Sequence, residues 1–300
     1  MYLKILFPLL LSGLISMNSF SQKIVWKTKT NLPKPMRGTA ISCNNKIYFM
    51  EADKDISGVY EYSPVSDDWV KKTEMITQGW NLNLAEVNGT IYAIGGDPFR
   101  DRNESFDPLK NEWKKHSPMP TPRQHSHCCT VDGNIYVMGG ITSRTEKTDK
   151  SEVYYPETDQ WETLSPLPVP TENPVLCSIG SNIYALCGDT LRIYNTKTDT
   201  WTTGENCPES ISVMFGSVVY ENKFYLLGGQ GKNEKALATV YVYDTSADKW
   251  YQSTPLPKPN QLGGITLLNN KIYIIGGSDT NFSKYNSVYE GTIMDNKSKL

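Results

Sequence analysis

This 300-residue chain lacks a strong charge of either sign, since 30 lysines and arginines stand against 32 aspartates and glutamates, for a formal charge of −2. Without a basic field to condense on a phosphate backbone, we expect no sequence-independent nucleic-acid binding. Histidine is scarce, with three in the chain, and no G-x-S-x-G motif occurs. Both observations argue against a Ser-His-Asp catalytic triad.

Long apolar runs are also missing. The longest, Ile5 to Ile15, is interrupted by proline and falls short of the roughly 20 residues that a spanning helix needs. Lys4 precedes it, and Ser19-Phe20-Ser21 follows it in the small-residue spacing of a cleavage site. The pattern predicts a signal peptide at residues 1–21 and a secreted or periplasmic protein without stable membrane insertion.

Cysteines are too sparse to form the main framework of a domain of this size, although an exported protein meets a compartment in which they can pair. They are Cys43, Cys128, Cys129, Cys177, Cys187 and Cys207. Their spacing does not select a pairing.

Sustained helical periodicity is absent, and one short pattern recurs instead. An apolar residue and a tyrosine are followed, four positions after the start, by a pair of small residues. The copies begin at Ile91, Ile135, Phe224 and Ile272, with weaker copies at Ile47 and Ile183. The starts lie 41 to 48 residues apart.

A second signal keeps the same phase, an aromatic residue seven positions before a tryptophan. The pairs are Tyr62/Trp69, Phe106/Trp113, Tyr154/Trp161, Tyr194/Trp201 and Tyr243/Trp250. Hairpin turns such as Asn88-Gly89 separate the runs. Four short strands per unit at this period are typical of a β-propeller blade, and stacking the units in a ring would cover the faces that one unit leaves open.

The doubled glycines, the aromatic–tryptophan spacing and the segment Met119-Pro120-Thr121-Pro122-Arg123 resemble the Kelch repeat. The resemblance implies an all-β fold, a single six-bladed Kelch-type β-propeller over residues 22–300. The pattern departs at Glu51-Ala52 and at Cys187-Gly188, where the glycine pair is lost or halved.

The ends of the chain predict how the ring closes. The sixth unit has Asn296 where its tryptophan is expected, whereas Trp26 stands 43 residues ahead of Trp69 at the other terminus. We therefore expect the strand around Trp26 to be the outer strand of the last blade.

Antiparallel parity places the loops between second and third strands on the same face as the connections between blades. Those loops vary most in length, which favours this face for binding. Residues at the ends of the connections should ring the mouth of the central channel. They are Arg37, Trp80, Asn81, Arg123, His125, Glu172, Asn173, Glu209, Asn260 and Gln261. Such a set suits a polar ligand with hydroxyls or a carboxylate.

Two structural alternatives accompany this prediction. The first is that Arg37 and Arg123 hold the junctions between blades, and this structural role is favoured over a binding role for the set. His125, His127 and Cys129 would share one face of a strand and are zinc-type ligands, but their spacing is not a zinc signature and inner-strand residues usually pack. We predict no metal and no cofactor, and a copper oxidase of the galactose-oxidase kind would need more histidines.

Two functions follow. The first is an exported, monomeric binding module that recognises a protein or carbohydrate partner through the variable-loop face. The alternative is an exported sugar mutarotase or epimerase, because the segment from Leu32 to Gly38 also resembles, more weakly, the start of the bacterial kelch-type N-acetylneuraminate epimerases. Glu172 and Glu209 would there bracket a sugar with Arg37 and Arg123. No catalytic motif of that family aligns, so no catalytic residue is assigned.

Overall fold

The computed structural model describes residues 22–51, 57–98, 100–209, 211–213 and 216–294, and these residues form strands and turns. The predicted signal peptide lies outside them. The strands are β1 (Lys23–Lys29), β2 (Gly38–Cys43), β3 (Lys46–Glu51), β4 (Gly58–Ser63), β5 (Asp68–Glu74), β6 (Asn83–Val87), β7 (Thr90–Ile94), β8 (Asn103–Asp107), β9 (Glu112–Lys115), β10 (His127–Val131), β11 (Asn134–Met138), β12 (Ser151–Tyr155), β13 (Gln160–Thr163), β14 (Val175–Ile179), β15 (Asn182–Cys187), β16 (Thr190–Asn195), β17 (Thr200–Thr203), β18 (Ile211–Val213), β19 (Gly216–Tyr220), β20 (Lys223–Leu227), β21 (Gln230–Gly231), β22 (Val240–Asp244), β23 (Lys249–Gln252), β24 (Gly264–Leu268), β25 (Lys271–Ile275) and β26 (Val288–Met294).

Twenty-four of these strands form six four-stranded antiparallel sheets, the blades of a β-propeller, and β18 and β21 form a separate two-stranded sheet. Blades 1 to 4 are β2–β5, β6–β9, β10–β13 and β14–β17, blade 5 is β19, β20, β22 and β23, and blade 6 is β24–β26 with β1. The first strand of each blade contacts that of the next, and β24 contacts β2, so the ring is closed. The predicted six-bladed fold is confirmed.

The second strand of each blade explains the repeated apolar run, because both of its faces are covered. In β7, Ile91 packs with Tyr48 and Met50 of blade 1. Its neighbour Tyr92 points the other way and packs with Val137 of blade 3. Alternate residues of one strand therefore bury themselves against different blades, which removes the polar face of an ordinary surface strand.

The aromatic–tryptophan spacing is a cross-strand pair. Tyr154 faces Trp161 across β12 and β13, and the ring centroids are 5.0 Å apart. The Tyr154 hydroxyl donates to Asp159 Oδ1 at 2.7 Å, and the same carboxylate accepts the Ser117 N–H at 2.9 Å from the preceding connection. Equivalent tyrosine–aspartate bonds recur in blades 1, 4 and 5, so this motif fastens blades together.

The ring closes as the terminal residues predict. Strand β1 pairs antiparallel with β26, and Trp26 lies opposite Gly291. The Trp26 indole donates from Nε1 to Pro255 O at 2.8 Å. A side chain on Gly291 would strike the Trp26 ring, so this glycine makes room for the tryptophan that completes blade 6.

Among the described residues, no helix has the length and apolar character that a bilayer crossing requires.

Removal of the closing strand should open the ring. We expect a deletion of residues 23–33 to lower the melting temperature sharply. Trp26→Ala should lower the free energy of unfolding by about 1–3 kcal/mol, because a half-buried ring and its hydrogen bond are lost. Chemical denaturation measures both. Val25→Ser is the matched control, since Val25 lies on the same strand with 56% exposure. An unchanged melting temperature in the deletion would contradict this account of closure.

Candidate functional site

A central cavity of about 950 Å³ runs between the first strands of the blades. Its wall is built from β2, β6, β10, β14, β19 and β24, and its mouth lies where the connections between blades enter these strands. The cavity is therefore a product of ring closure, and residues from blades far apart in sequence face the same space.

The structure brings six of the predicted residues to this cavity. They are Arg37, Trp80, Asn81, His125, Glu172 and Asn173. Leu262 and Phe282, which the sequence pattern did not indicate, also line it. Phe282 is 46% exposed and comes from the loop between β25 and β26. Loop length alone gave no signal that this side chain turns back toward the channel.

Four residues at equivalent places of the mouth have left-handed backbones. They are Asn81 (φ 58°), His125 (φ 56°), Asn173 (φ 53°) and Leu262 (φ 57°). The conformation is costly for His and Leu. In the two costly cases the carbonyl turns toward the next blade: His125 O accepts the Asn173 N–H at 2.8 Å, and Leu262 O accepts the Gly38 N–H at 3.3 Å. The strain therefore has a structural reason.

Charged groups are distributed unequally around the mouth. His125 Nδ1 lies 2.8 Å from Glu172 Oε1, joining blades 3 and 4. Both side chains stay partly exposed, at 27% and 31%. Across the cavity, half-buried Arg37 of blade 1 forms no ion pair or hydrogen bond with a described residue. One side of the mouth thus offers an acid–base pair, and the other offers a guanidinium that is available to a ligand.

The other four predicted residues lie elsewhere. Arg123 is fully buried, with Nη2 at 2.9 Å from Glu152 Oε2 and 3.0 Å from Val137 O, which matches the structural alternative. Asn260 is buried and donates to Gly276 O at 2.8 Å. Asn260 and Arg123 occupy the same place in their connections, two residues before the left-handed residues Leu262 and His125, and at this place the side chain turns into the blade.

Gln261 is also buried, and its amide donates to Asp279 O at 2.7 Å. Glu209 is half-buried and accepts the Tyr241 hydroxyl at 3.1 Å. Neither lines the central cavity. The prediction that they ring the mouth is wrong in placement, because their partners draw both side chains into blade contacts.

The wall below the mouth is held by His127. Its Nδ1 accepts the Leu176 N–H of blade 4 at 3.2 Å, which requires an unprotonated Nδ1. Burial lowers the pKa of His127 to about 4. His125 and His127 do turn to the same blade, as parity predicts, but no group of three or more metal-type ligands is gathered within the described ranges.

All six cysteines carry free thiols. Burial raises the pKa of Cys128 to about 12 and that of Cys177 well above its ordinary value. Thiolates are therefore disfavoured at these positions, and the cysteines pack as small apolar residues.

A serine–histidine–aspartate cluster lies between blades 2 and 3. Ser105 Oγ is 2.8 Å from His116 Nε2, and His116 Nδ1 is 3.6 Å from Asp159 Oδ1. The second separation is too long for a hydrogen bond. Ser105 is 6% exposed, and Asp159 already serves the tyrosine motif described above. The cluster is packing between blades and does not form a nucleophile site.

Comparison with known proteins supports the fold. The family model of the Kelch motif matches residues 122–168 and 212–257. Beta-scruin of Limulus polyphemus is 32% identical over 96 residues, covering 29% of this chain and 10% of the relative. Kelch-like protein 40a of Danio rerio is 39% identical over 66 residues, covering 21% of this chain and 11% of the relative. This chain therefore aligns with about a tenth of these relatives' length.

The solved structure of YjhT superposes with a TM-score of 0.78 at 16% identity and covers 89% of this chain and 98% of the other. At this level of identity the likeness concerns the fold alone.

His127, on the channel wall, should make the stability of the fold depend on pH. Its pKa is about 4 in the fold against 6.5 ordinarily, so the unfolded chain binds the proton more readily and stability falls as the pH drops from 6.5 toward 4. We expect wild type to lose about 1–2 kcal/mol more than His127→Asn between about pH 7 and about pH 5. Asparagine retains an acceptor for the Leu176 N–H.

Urea denaturation at both pH values measures the difference. Burial also lowers the pKa of His116, so the variant should keep part of the pH dependence. Equal losses in the two proteins would show that His127 does not titrate as proposed.

Proposed function

Because the chain is a Kelch-repeat β-propeller, we propose that it is an exported module that binds an acidic carbohydrate at the mouth of its central cavity. The observation that carries the proposal is the unpaired, half-buried Arg37 in a mouth whose other predicted residues offer amide, imidazole and carboxylate groups. The variable loops surround the same mouth, which suits recognition of a larger glycan.

The arrangement of the mouth favours a ligand with a carboxylate and several hydroxyls. Arg37 offers paired N–H donors, which match the two oxygens of a carboxylate. Asn81 and Asn173 each offer a donor and an acceptor, as a hydroxyl-rich ring requires. The aromatic rings of Trp80 and Phe282 come from the blades on either side of blade 1, so they flank the arginine and can pack on apolar faces of a sugar.

Ligand size also agrees. A cavity of about 950 Å³ is within the range of small-molecule sites and is large enough for a monosaccharide at the end of a chain. The leader-like residues 1–21 support the proposed export, which would place the module where free and bound glycans occur.

Removal of the guanidinium should weaken binding of an acidic sugar selectively. We expect Arg37→Ala to raise the dissociation constant for N-acetylneuraminate about tenfold or more, because a charge-assisted pair is lost. Isothermal titration measures it, with Arg144→Ala as a control for an exposed arginine in another loop of the same face.

Binding of neutral N-acetylmannosamine should change less. The proposal fails if Arg37→Ala binds N-acetylneuraminate as wild type does, or if wild type binds no glycan and instead captures a protein through its loops.

A second candidate function rests on the pair of His125 and Glu172, whose Nδ1 and Oε1 atoms are 2.8 Å apart. The pair lies across the mouth from Arg37. Anomer interconversion needs one group to take the proton of the anomeric hydroxyl and another to give a proton to the ring oxygen. The C–O ring bond then opens, and closure on the other face returns both protons. A partly exposed imidazole and carboxylate at a sugar-sized mouth meet this need, and the activity would be that of a sugar mutarotase.

Catalysis is separable from binding by NMR of freshly dissolved N-acetylneuraminate with a trace of protein. A mutarotase accelerates anomer exchange, and Glu172→Gln and His125→Gln should each reduce this acceleration at least tenfold while leaving much of the binding. Exchange at the uncatalysed rate in the presence of wild type rejects the enzyme and leaves the binding module intact.

A further inference from the structure

A second cavity, of about 530 Å³, lies at the outer side of blade 2 on the face that carries the channel mouth. Its wall comes from three segments: the connection after β5, the start of β8 and the end of β9. It shares no lining residue with the central cavity. Any ligand held here would therefore be recognised by different groups.

A buried arginine without enough partners lines this cavity. Arg102 is 5% exposed, and its Nε and Nη1 have no hydrogen-bond partner among the described residues. Only Nη2 is used, donating to Gln78 O at 2.7 Å. The nearest carboxylate atom, Glu104 Oε2, lies 3.9 Å from Nε. Leaving such donors buried and unsatisfied is costly, which makes the side chain a candidate for ligand contact.

Unsatisfied acceptors lie beside it. Glu104 Oε2 and Asn103 Oδ1 are buried, and neither accepts a hydrogen bond from a described residue. Glu104 is otherwise held by the Thr77 hydroxyl, and Asn103 donates to Ser117 O at 2.9 Å. The cavity thus presents fixed donors and fixed acceptors together.

Blade 3 provides an internal comparison. There the connection reads Met119-Pro120-Thr121-Pro122-Arg123, and Arg123 Nη2 lies 2.9 Å from Glu152 Oε2. Arg123 Nε and Nη1 and Glu152 Oε2 also lack hydrogen-bond partners among the described residues, but neither side chain lines the central or the second cavity. The corresponding residues before blade 2 are Met75-Ile76-Thr77-Gln78-Gly79, without either proline or the arginine.

Arg102 reaches into the place that the missing arginine leaves, from a different loop. A Cβ on Gly79 would come within 2.8 Å of Arg102 Nη2, so the glycine admits the guanidinium. The substitute pair with Glu104 is looser by about 1 Å than the pair in blade 3. The looser pair and the lost prolines leave the cavity open.

The charges around the cavity select the ligand class. Arg102 and Lys115 are balanced by Asp101 and Glu104, so the site has no net field to hold an ion. Exposed Ile76 adds an apolar wall. We propose that this cavity binds a neutral sugar residue, whose hydroxyls accept from Arg102 and donate to Glu104 and Asn103 while its apolar face packs on Ile76.

The test uses saturation-transfer NMR on the full chain, with galactose and N-acetylglucosamine as neutral probes, glycine as a zwitterion and acetate as an anion. We expect Ile76→Arg, which fills the cavity from an exposed position, to weaken binding of a neutral sugar about tenfold or more. Val169→Arg is the matched control, because Val169 is an exposed apolar residue in the connection before blade 4.

A second pair of variants changes the buried acceptor. Glu104→Gln should weaken sugar binding. Glu152→Gln alters the equivalent pair of blade 3, which does not line the second cavity, so it should leave sugar binding unchanged. Both substitutions are allowed to lower the melting temperature. Trp80→Ala, which removes a ring that would pack on any sugar in the central cavity, should retain binding, and this separates the second site from the central cavity.

Three outcomes would overturn the proposal. If neither sugar binds wild type, the cavity holds water alone. If glycine or acetate binds there in preference to sugars, the ligand class is wrong. If sugar binding disappears with Trp80→Ala and survives Ile76→Arg, the sugar occupies the channel, so this inference fails while the proposed function stands.

Discussion

The contact between neighbouring blades is the constraint on which the structure depends. Each blade is apolar on both faces, as the opposite burial of Ile91 and Tyr92 shows, so no blade is stable with a face in water. A ring satisfies every face at once, provided that the last blade is complete. Strand β1 supplies that completion through its full register with β26. Closure then fixes six inner strands around one cavity and gives the molecule its only shared mouth among the described residues.

The same constraint explains why polar groups on the channel wall are poor evidence of binding. The inner strands of adjacent blades share few backbone hydrogen bonds, and side chains substitute for them. Asn83 Nδ2 donates to Ser126 Oγ at 3.0 Å, and Ser217 Oγ donates to Leu176 O at 3.2 Å. His127 has the same role on another junction. These polar residues stabilise the ring, and a ligand would have to compete with contacts already made.

The repeat was sufficient to predict the fold and the closing strand from sequence, because packing between blades demands one residue pattern in each unit. The repeat predicted only part of the residues that line the mouth. Arg37 and Arg123 look alike in sequence, yet a shift of one position in the connection sends one toward the channel and the other into the blade. The shift is visible in the sequence when the two connections are aligned on their prolines, because Met36 then matches Arg123. The left-handed turns and the return of Phe282 depend on tertiary contacts and have no local signal.

Repetition within one chain also serves as an internal control for function. A residue whose equivalents do the same work in several blades is explained by the fold, which is why Asp159 carries no catalytic weight despite its neighbours His116 and Ser105. A residue without such equivalents is not explained by the fold. Arg37 is of this kind, because it lines the mouth and forms no ion pair or hydrogen bond with a described residue. Blade packing does not account for its position, so recognition of a ligand is the more economical explanation. Arg102 differs, because it substitutes for the buried arginine of blade 3 and also lines a cavity.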